Sequence, residues 1–208
     1  MNLKDLINWH LKQGFQQIES KEKEIILKKG TNLIRRISPV IIERSSFLVG
    51  LARNYQWKVF AEIGASPGGL AEGLIPKTSL IYLGVERVPS LKFYGLFMRT
   101  DSYSKELGRQ KKPFGFLRMN SDEAASIIGN EVLDAVFIDA QHNYKDVLED
   151  IRMWHPKVKK GGFIGGHDFN PWGEPNRGGV AKAVSEYYKD FNLFVEPSGN
   201  CCWWLYVS

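Results

Sequence analysis

Acidic and histidine side chains follow the predicted β-strands of this chain at the positions where the strands end. Carboxylates bind hydroxyl groups and hard cations, whereas imidazole takes up and releases protons near neutral pH. Ligands of open α/β sheets bind outside the carboxyl ends of the strands. We therefore predict one binding site at that edge, formed by Glu62, Glu86, Ser121, Asp139, His142, His167 and Asp168.

A glycine-rich turn interrupts the segment KVFAEIGASPGGLAEGL, which runs from Lys58 to Leu74. The apolar residues before the turn predict a strand, and the segment after it predicts a helix. Glycine allows unusual backbone angles and lets a ligand approach the main chain closely. We expect Ser66 to cap the helix and Pro67 to be its first residue, so that free N–H groups face the ligand.

The spacing of this turn argues against two common phosphate-binding motifs. G-A-S-P-G-G is neither the G-x-G-x-x-G fingerprint of dinucleotide sites nor a P-loop that ends in Gly-Lys-Ser/Thr. Glu86 follows the next apolar run, Ser79 to Val85, where an acid can accept hydrogen bonds from ribose hydroxyls. NAD and ATP are therefore disfavoured, and another ligand that carries a ribose is favoured.

Seven short apolar runs predict strands, and helical segments alternate with the first five. This alternation predicts a mostly parallel, doubly wound sheet with helices on both faces, closed by an antiparallel C-terminal hairpin. We predict a single α/β domain over residues 1–208, with a helical cap or lid over 1–55 and a Rossmann-like core over 56–208. The predicted strands are Val59–Ile63, Ser79–Val85, Phe114–Met119, Leu133–Asp139, Gly161–Gly166, Phe191–Glu196 and Cys202–Val207.

Composition favours a protein in a reducing compartment, and we predict a cytoplasmic one. The 208 residues are 43% hydrophobic, contain no apolar run long enough to span a membrane, and include only the adjacent cysteines Cys201 and Cys202. The net charge of +5 would permit an anionic partner such as nucleic acid. The basic residues are scattered, however, and a solvated surface explains them better. The pattern leaves a homo-oligomer open.

The segment from Val136 to Asn170 resembles one type of class I S-adenosylmethionine-dependent methyltransferase. It carries F-I-D-x-x-H-x-Y, a helix that ends near Trp-x-Pro, and G-G-x-I-x-x-H-D. The segment from Arg118 to Ala125 is similar to the one just upstream in those enzymes. Within the doubly wound fold, the resemblance implies a seven-stranded sheet in which the last strand is antiparallel.

The resemblance also implies where the cofactor binds. The glycine-rich turn would line the methionine part of S-adenosylmethionine, Glu86 would hold the ribose, and Ser121 would lie beside the adenine. The full set of predicted cofactor-binding residues is Glu62, Gly64, Ala65, Ser66, Gly68, Gly69, Glu86, Arg87, Ser121 and Asp139.

Related O-methyltransferases of the catechol type bind Mg²⁺ through acids at the ends of strands four and five. Asp139 and Asp168 occupy those places, and Asn170 or His167 could complete the site. His167-Asp168 replaces the Asp-Asp or Asp-Asn pair of the metal-dependent enzymes, so both metal-dependent and metal-independent catalysis stay open. His142 is the candidate general base, with Asp139 beside it, because an attacking hydroxyl must lose a proton. A structural role for His142 is the alternative.

Three functions fit the sequence. The first is O-methylation of a small hydroxylated molecule such as a sugar or a secondary metabolite. The second is methylation of RNA, because GASPGG is similar to the turn of the ribosomal-RNA 2′-O-methyltransferases, although His167-Asp168 stands where those enzymes carry a lysine. The third is a methyltransferase-like domain that binds the cofactor or a partner protein without turnover.

Overall fold

The computed structural model describes residues 3–12, 15–21, 24–30, 33–37, 44–65, 69–88, 114–170, 178–195 and 201–208. The helices are α1 (Leu3–Lys12), α2 (Arg44–Asn54), α3 (Gly69–Leu74), α4 (Ser121–Ile127), α5 (Tyr144–Trp154) and α6 (Gly178–Tyr187). Strands β1 to β5 are Gln16–Lys21, Glu24–Lys29, Leu33–Ile37, Val59–Ile63 and Ile81–Val85. Strands β6 to β10 are Phe114–Leu117, Leu133–Ile138, Val158–Gly166, Leu193–Val195 and Trp203–Tyr206.

The described strands form one ten-stranded sheet in the order β1-β2-β3-β9-β10-β8-β7-β4-β5-β6. All seven strands predicted from the sequence are present, and the five from β8 to β6 pair in parallel. Strand β10 lies antiparallel between β8 and β9, which confirms the C-terminal hairpin. The strand order reverses between β4 and β7, and a doubly wound sheet places its ligand site at such a point.

The helical prediction for residues 1–55 is wrong in its middle. Helices α1 and α2 are present, but β1, β2 and β3 form an antiparallel meander between them, and β3 pairs in parallel with β9. Charged residues flank Ile25 to Leu27, so the sequence pattern did not indicate strand β2. This strand forms because it pairs with β1 and β3 in the tertiary structure. Gly30, with φ +66°, lies at the turn between β2 and β3, and it was a usable hairpin signal.

Helices cover both faces of the parallel strands. Along β4, Phe60 packs with Leu70 of α3 and Leu48 of α2, whereas the alternate residue Ile63 belongs to the core that includes Val147 of α5. Successive strand residues point to opposite faces, so one strand joins both layers. None of the helices in the described part of the chain is long and apolar enough to cross a membrane.

Several sequence predictions lie outside the described residues. They concern the helix cap at Ser66 and Pro67, the contact at Gly68, the polar stretch over residues 89–113, and most of the loop over 170–179. Helix α3 is described from Gly69 onward.

Candidate functional site

A cavity of about 1040 Å³ opens at the carboxyl ends of β4, β5 and β7. Its volume is at the upper end of the usual range for small-molecule sites. Polar and charged side chains dominate the lining, and most of the residues predicted from strand ends are among them. The lining includes Gly64, Glu86, Arg87, Asn120, Ser121, Asp122, Asp139, His142, Asp146, Glu149, Asp150, Arg152 and Asp168.

Gly64 brings two strand ends into close contact. Its φ is +85°, and a Cβ atom at this position would lie 2.3 Å from the carbonyl oxygen of Asp139 and 2.5 Å from Cα of Ala140. The backbone N–H of Gly64 and that of Ala65 both donate to the carbonyl of Val85. Only glycine fits here, and the close approach places the turn directly beside Asp139.

Glu62 and Ala65 are buried and do not line this cavity. The carboxyl of Glu62 accepts a hydrogen bond from the hydroxyl of Tyr82. Burial raises the pKa of Glu62 to about 8, although this bond acts to lower it. Glu62 therefore carries its proton in the folded protein near neutral pH, and its cofactor contact stays a prediction.

One end of the cavity contains a buried hydrogen-bond network. Ser121 donates to the carboxylate of Asp150 and accepts a hydrogen bond of 2.7 Å from Nε1 of Trp154. Asp150 is only 4% exposed, and burial raises its pKa to about 6. At the neighbouring strand end, the carboxylate of Glu86 accepts from the N–H of Val88 at 2.8 Å. Both acids thus have defined positions at the cavity wall.

A second polar cluster lies at the ends of β7 and β8. Nε2 of His142 is 2.9 Å from Oδ2 of Asp168 and 3.9 Å from Oδ1 of Asp139. Nδ1 of His167 is 3.1 Å from the same oxygen of Asp168 and 3.6 Å from Oδ1 of Asp139. The parallel pairing of β7 with β8 brings these two acids together, as the sequence predicted.

The backbone around Asp168 holds an uncommon conformation. Its φ of +56° is rare for a residue other than glycine, and such strain concentrates at functional sites. The N–H of Phe169 donates to the carbonyl of Cys201, and that of Asn170 donates to the carbonyl of Asp168. These bonds on both sides hold the Asp168 carboxylate toward His142.

Comparison with known proteins bears on the fold and on the segment that carries both polar clusters. Residues 86–169, which include both polar clusters, match the family model described as a methyltransferase domain. No curated protein matches the sequence. Together with the sheet order, these matches show that the chain has the Rossmann-like methyltransferase fold.

Solved structures of methyltransferases share the fold. A putative O-methyltransferase from Klebsiella pneumoniae superposes with a TM-score of 0.60 at 17% identity, covering 81% of each chain. A putative caffeoyl-CoA O-methyltransferase from Staphylococcus aureus gives 0.57 at 14% identity, with 80% of this chain and 83% of that one covered. The O-methyltransferase TomG from Streptomyces achromogenes, solved with SAM, gives a TM-score of 0.56 at 17% identity, with 81% of this chain and 82% of that one covered.

Sequence reasoning missed two residues of the candidate site. Arg44, the first residue of α2, places Nη1 2.5 Å from Oδ2 of Asp139, although 95 positions separate the two residues. Asp150 lies within α5 and carries no motif signal of its own. Its single usable signal was an acid on the same helix face as the apolar residues Val147 and Ile151.

We predict that Asp150→Asn removes a pH dependence of stability. The pKa of Asp150 rises on folding from its ordinary 3.8 to about 6, so the folded state binds the proton more tightly than the unfolded state. Its contribution to stability is therefore full below about pH 4 and is lost as the pH rises through about 6, by about 1–3 kcal/mol. Urea unfolding at about pH 4.5 and about pH 7.5 measures the difference.

The matched control is Asp122→Asn, which changes an exposed acid at the same cavity. It should leave the wild-type pH dependence in place, whereas Asp150→Asn should flatten it. Equal pH dependence in wild type and Asp150→Asn would show that burial does not raise the pKa of Asp150.

Proposed function

We propose that this chain is an S-adenosylmethionine-dependent methyltransferase that methylates a hydroxyl group of a small molecule. The observation that carries the proposal is the position of the His142–Asp168 pair, which lies at the same cavity as Gly64 and Glu86. A cofactor seated on the glycine turn would present its methyl group to that pair. TomG, a structural neighbour, was solved with SAM.

Asp168 would set the protonation of His142. Oδ2 of Asp168 lies 2.9 Å from Nε2, and a carboxylate at that distance would stabilise the positive charge that the ring gains when it takes a proton. His142 is partly exposed, with 35% of its side chain accessible, so an acceptor can reach it. Imidazole titrates near neutral pH and suits a general base.

S-adenosylmethionine would supply a methyl group on a positively charged sulfur. The acceptor oxygen would form a bond to the methyl carbon as the carbon–sulfur bond breaks, and the electron pair of that bond would stay on sulfur. The hydroxyl proton would pass to His142. The carboxylates of Asp139 and Asp168 would stabilise the imidazolium, because opposite charges attract strongly in a cavity with little water.

At the other end of the cavity, Glu86 would accept hydrogen bonds from the ribose, and Ser121 would lie beside the adenine with Asp150 holding it in place. Arg87 lines the same cavity. Gly69, the last glycine of the glycine-rich turn in the sequence, is the first residue of α3. The contacts proposed for Ser66 and Gly68 complete the set.

The residues fit Mg²⁺ poorly. Asp139, His142 and Asp168 can offer donor atoms that lie within 4.8 Å of one another. Mg²⁺, however, prefers oxygen ligands, and Oδ2 of Asp139 already bonds Arg44. The metal site with Asn170 as a further ligand stays a prediction, and no step of the proposed reaction depends on it.

The charge of the cavity disfavours RNA as the acceptor. Seven carboxylates line it in the described part of the chain, against the guanidinium groups of Arg87 and Arg152. A polyanion would be repelled by this lining, whereas nucleic-acid sites are basic. The His142–Asp168 pair also argues against a domain that only binds, because a partly exposed imidazole held by a carboxylate is suited to proton transfer.

Titration calorimetry with S-adenosylhomocysteine tests the proposed cofactor. We expect binding at micromolar concentration, and we expect Glu86→Ala to weaken it about 10- to 100-fold, since a carboxylate that accepts ribose hydroxyls contributes charge-assisted bonds. Glu72→Ala is the matched control, because Glu72 is an exposed acid of α3 that does not line the cavity.

The two possible outcomes separate clearly. Binding that Glu86→Ala weakens and Glu72→Ala leaves unchanged would support the proposal and leave the acceptor to be found. No binding by the wild-type protein at millimolar ligand would require the proposed activity to be withdrawn.

A further inference from the structure

Arg44 brings a permanent positive charge from outside the parallel sheet to Asp139, which lines the cavity near the His142–Asp168 pair. Its Nη1 lies 2.5 Å from Oδ2 of Asp139, and its side chain is 30% exposed. The guanidinium also lies 5.8 Å from the centre of the Phe137 ring. Guanidinium keeps its proton at every physiological pH and offers five N–H donors, of which Asp139 uses one.

Helix α2 is well anchored, so the position of Arg44 is defined by packing. A Cβ atom on Gly73 would lie 2.3 Å from Cβ of Ser45, which means that α2 and α3 are in close contact at the residue next to Arg44. Leu48 and Val49 are buried in the core on the same face of the sheet as Phe137. The guanidinium is therefore presented by a packed element, and catalytic groups need such support.

We propose that Arg44 is the built-in cation of this site and that it performs the work for which related enzymes use a divalent metal. This inference rests on the proposed methyltransferase function. Arg44 neutralises Asp139 and donates its remaining N–H groups to the acceptor hydroxyl. It thereby stabilises the negative charge that develops on oxygen as the proton moves to His142 and the oxygen bonds to the methyl carbon. Arg44 itself keeps its proton throughout.

Around Asp139 and Asp168, four charged groups balance without a metal ion. Asp139 and Asp168 contribute two negative charges, and both histidines are counted as neutral. Arg44 and the sulfonium of the cofactor contribute two positive charges, so the four groups sum to zero. A divalent cation added to these four groups would leave a local positive excess beside the sulfonium, and like charges at close range repel.

A metal titration of the full-length protein tests this inference. The protein is treated with EDTA, dialysed, and titrated with Mn²⁺ and with Mg²⁺ by calorimetry, in the absence of cofactor and acceptor. We expect Arg44→Met to bind Mn²⁺ at least about tenfold more tightly than wild type. The substitution removes the guanidinium that competes with the metal ion for the carboxylate of Asp139. Arg44→Lys keeps a positive charge and should stay close to wild type. Asp139→Asn added to Arg44→Met should abolish the gain.

Arg53→Met is the matched control. Arg53 lies on the same helix, and its guanidinium donates to the carbonyl of Lys77 at 2.8 Å, away from the site. It should bind Mn²⁺ as wild type does. Tight binding of Mn²⁺ or Mg²⁺ by the wild-type protein that Asp139→Asn abolishes would overturn the proposal, and so would an Arg44→Met protein that gains no affinity. The wild-type result stands even where a variant fails to fold.

A second measurement uses activity once an acceptor is known. Wild type treated with EDTA should transfer the methyl group at its full rate, and a rate that falls with EDTA and returns with Mg²⁺ would overturn the proposal. Failure of the proposed function is distinguishable, because it appears as absence of S-adenosylhomocysteine binding by wild type, which the metal titration does not involve.

Discussion

His142→Gln should lower the rate of methyl transfer by about 100- to 10,000-fold, the usual contribution of a general base. Glutamine has a similar size and polarity but accepts no proton. Cofactor affinity should change by less than about twofold, because the imidazole touches the acceptor end of the cavity. The measurement is single-turnover transfer of a labelled methyl group from S-adenosylmethionine to a panel of phenols and sugars, followed on the first acceptor that wild type methylates.

His155→Gln provides the control for this prediction. His155 follows α5 directly, its Nδ1 lies 3.0 Å from the hydroxyl of Tyr188, and it does not line the cavity. The variant should retain wild-type turnover. If His142→Gln also retained it, His142 would be a structural residue and another base would have to be found.

Gly64→Ala should destabilise the protein by about 2–5 kcal/mol and abolish binding of S-adenosylhomocysteine. A Cβ atom would lie 2.3 Å from the carbonyl oxygen of Asp139 and 2.6 Å from the backbone nitrogen of Ala140, and the φ of +85° adds strain. Backbone atoms give way less easily than the ends of side chains, so β4 and β7 must separate at the site. Urea unfolding and calorimetry measure the two effects.

Gly161→Ala separates the effect of backbone strain from the effect of steric overlap by the added Cβ atom. Gly161 has a comparable φ of +76°, but no atom from elsewhere in the described part of the chain lies within 4 Å of the position that its Cβ would take. It should therefore lose only about 1 kcal/mol and keep cofactor affinity. Equal destabilisation by the two alanines would mean that β4 and β7 do not approach each other as closely as described here.

Several of these residues could be located before the structure was known, because their positions follow from local pattern. Asp139 and Asp168 end apolar runs, and parallel strands bring such ends to one edge of a sheet. Glu86 was placed at the cavity by the same reasoning, and the cavity lining includes all three. Glu62 shows the limit of that reasoning, since it sits at the same edge but turns into the core against Tyr82.

The sequence by itself determined the doubly wound sheet, the C-terminal hairpin and the group of acids and histidines at the strand ends. Periodicity and turn residues act over a few positions, and these features depend on little else. Only the tertiary structure decided the N-terminal meander, whose last strand is held by β9, and the arrival of Arg44 at Asp139. Arg44 and Asp139 are 95 positions apart, and their contact depends on how α2 packs on the sheet. A pattern that spans a few residues of sequence does not predict such a contact.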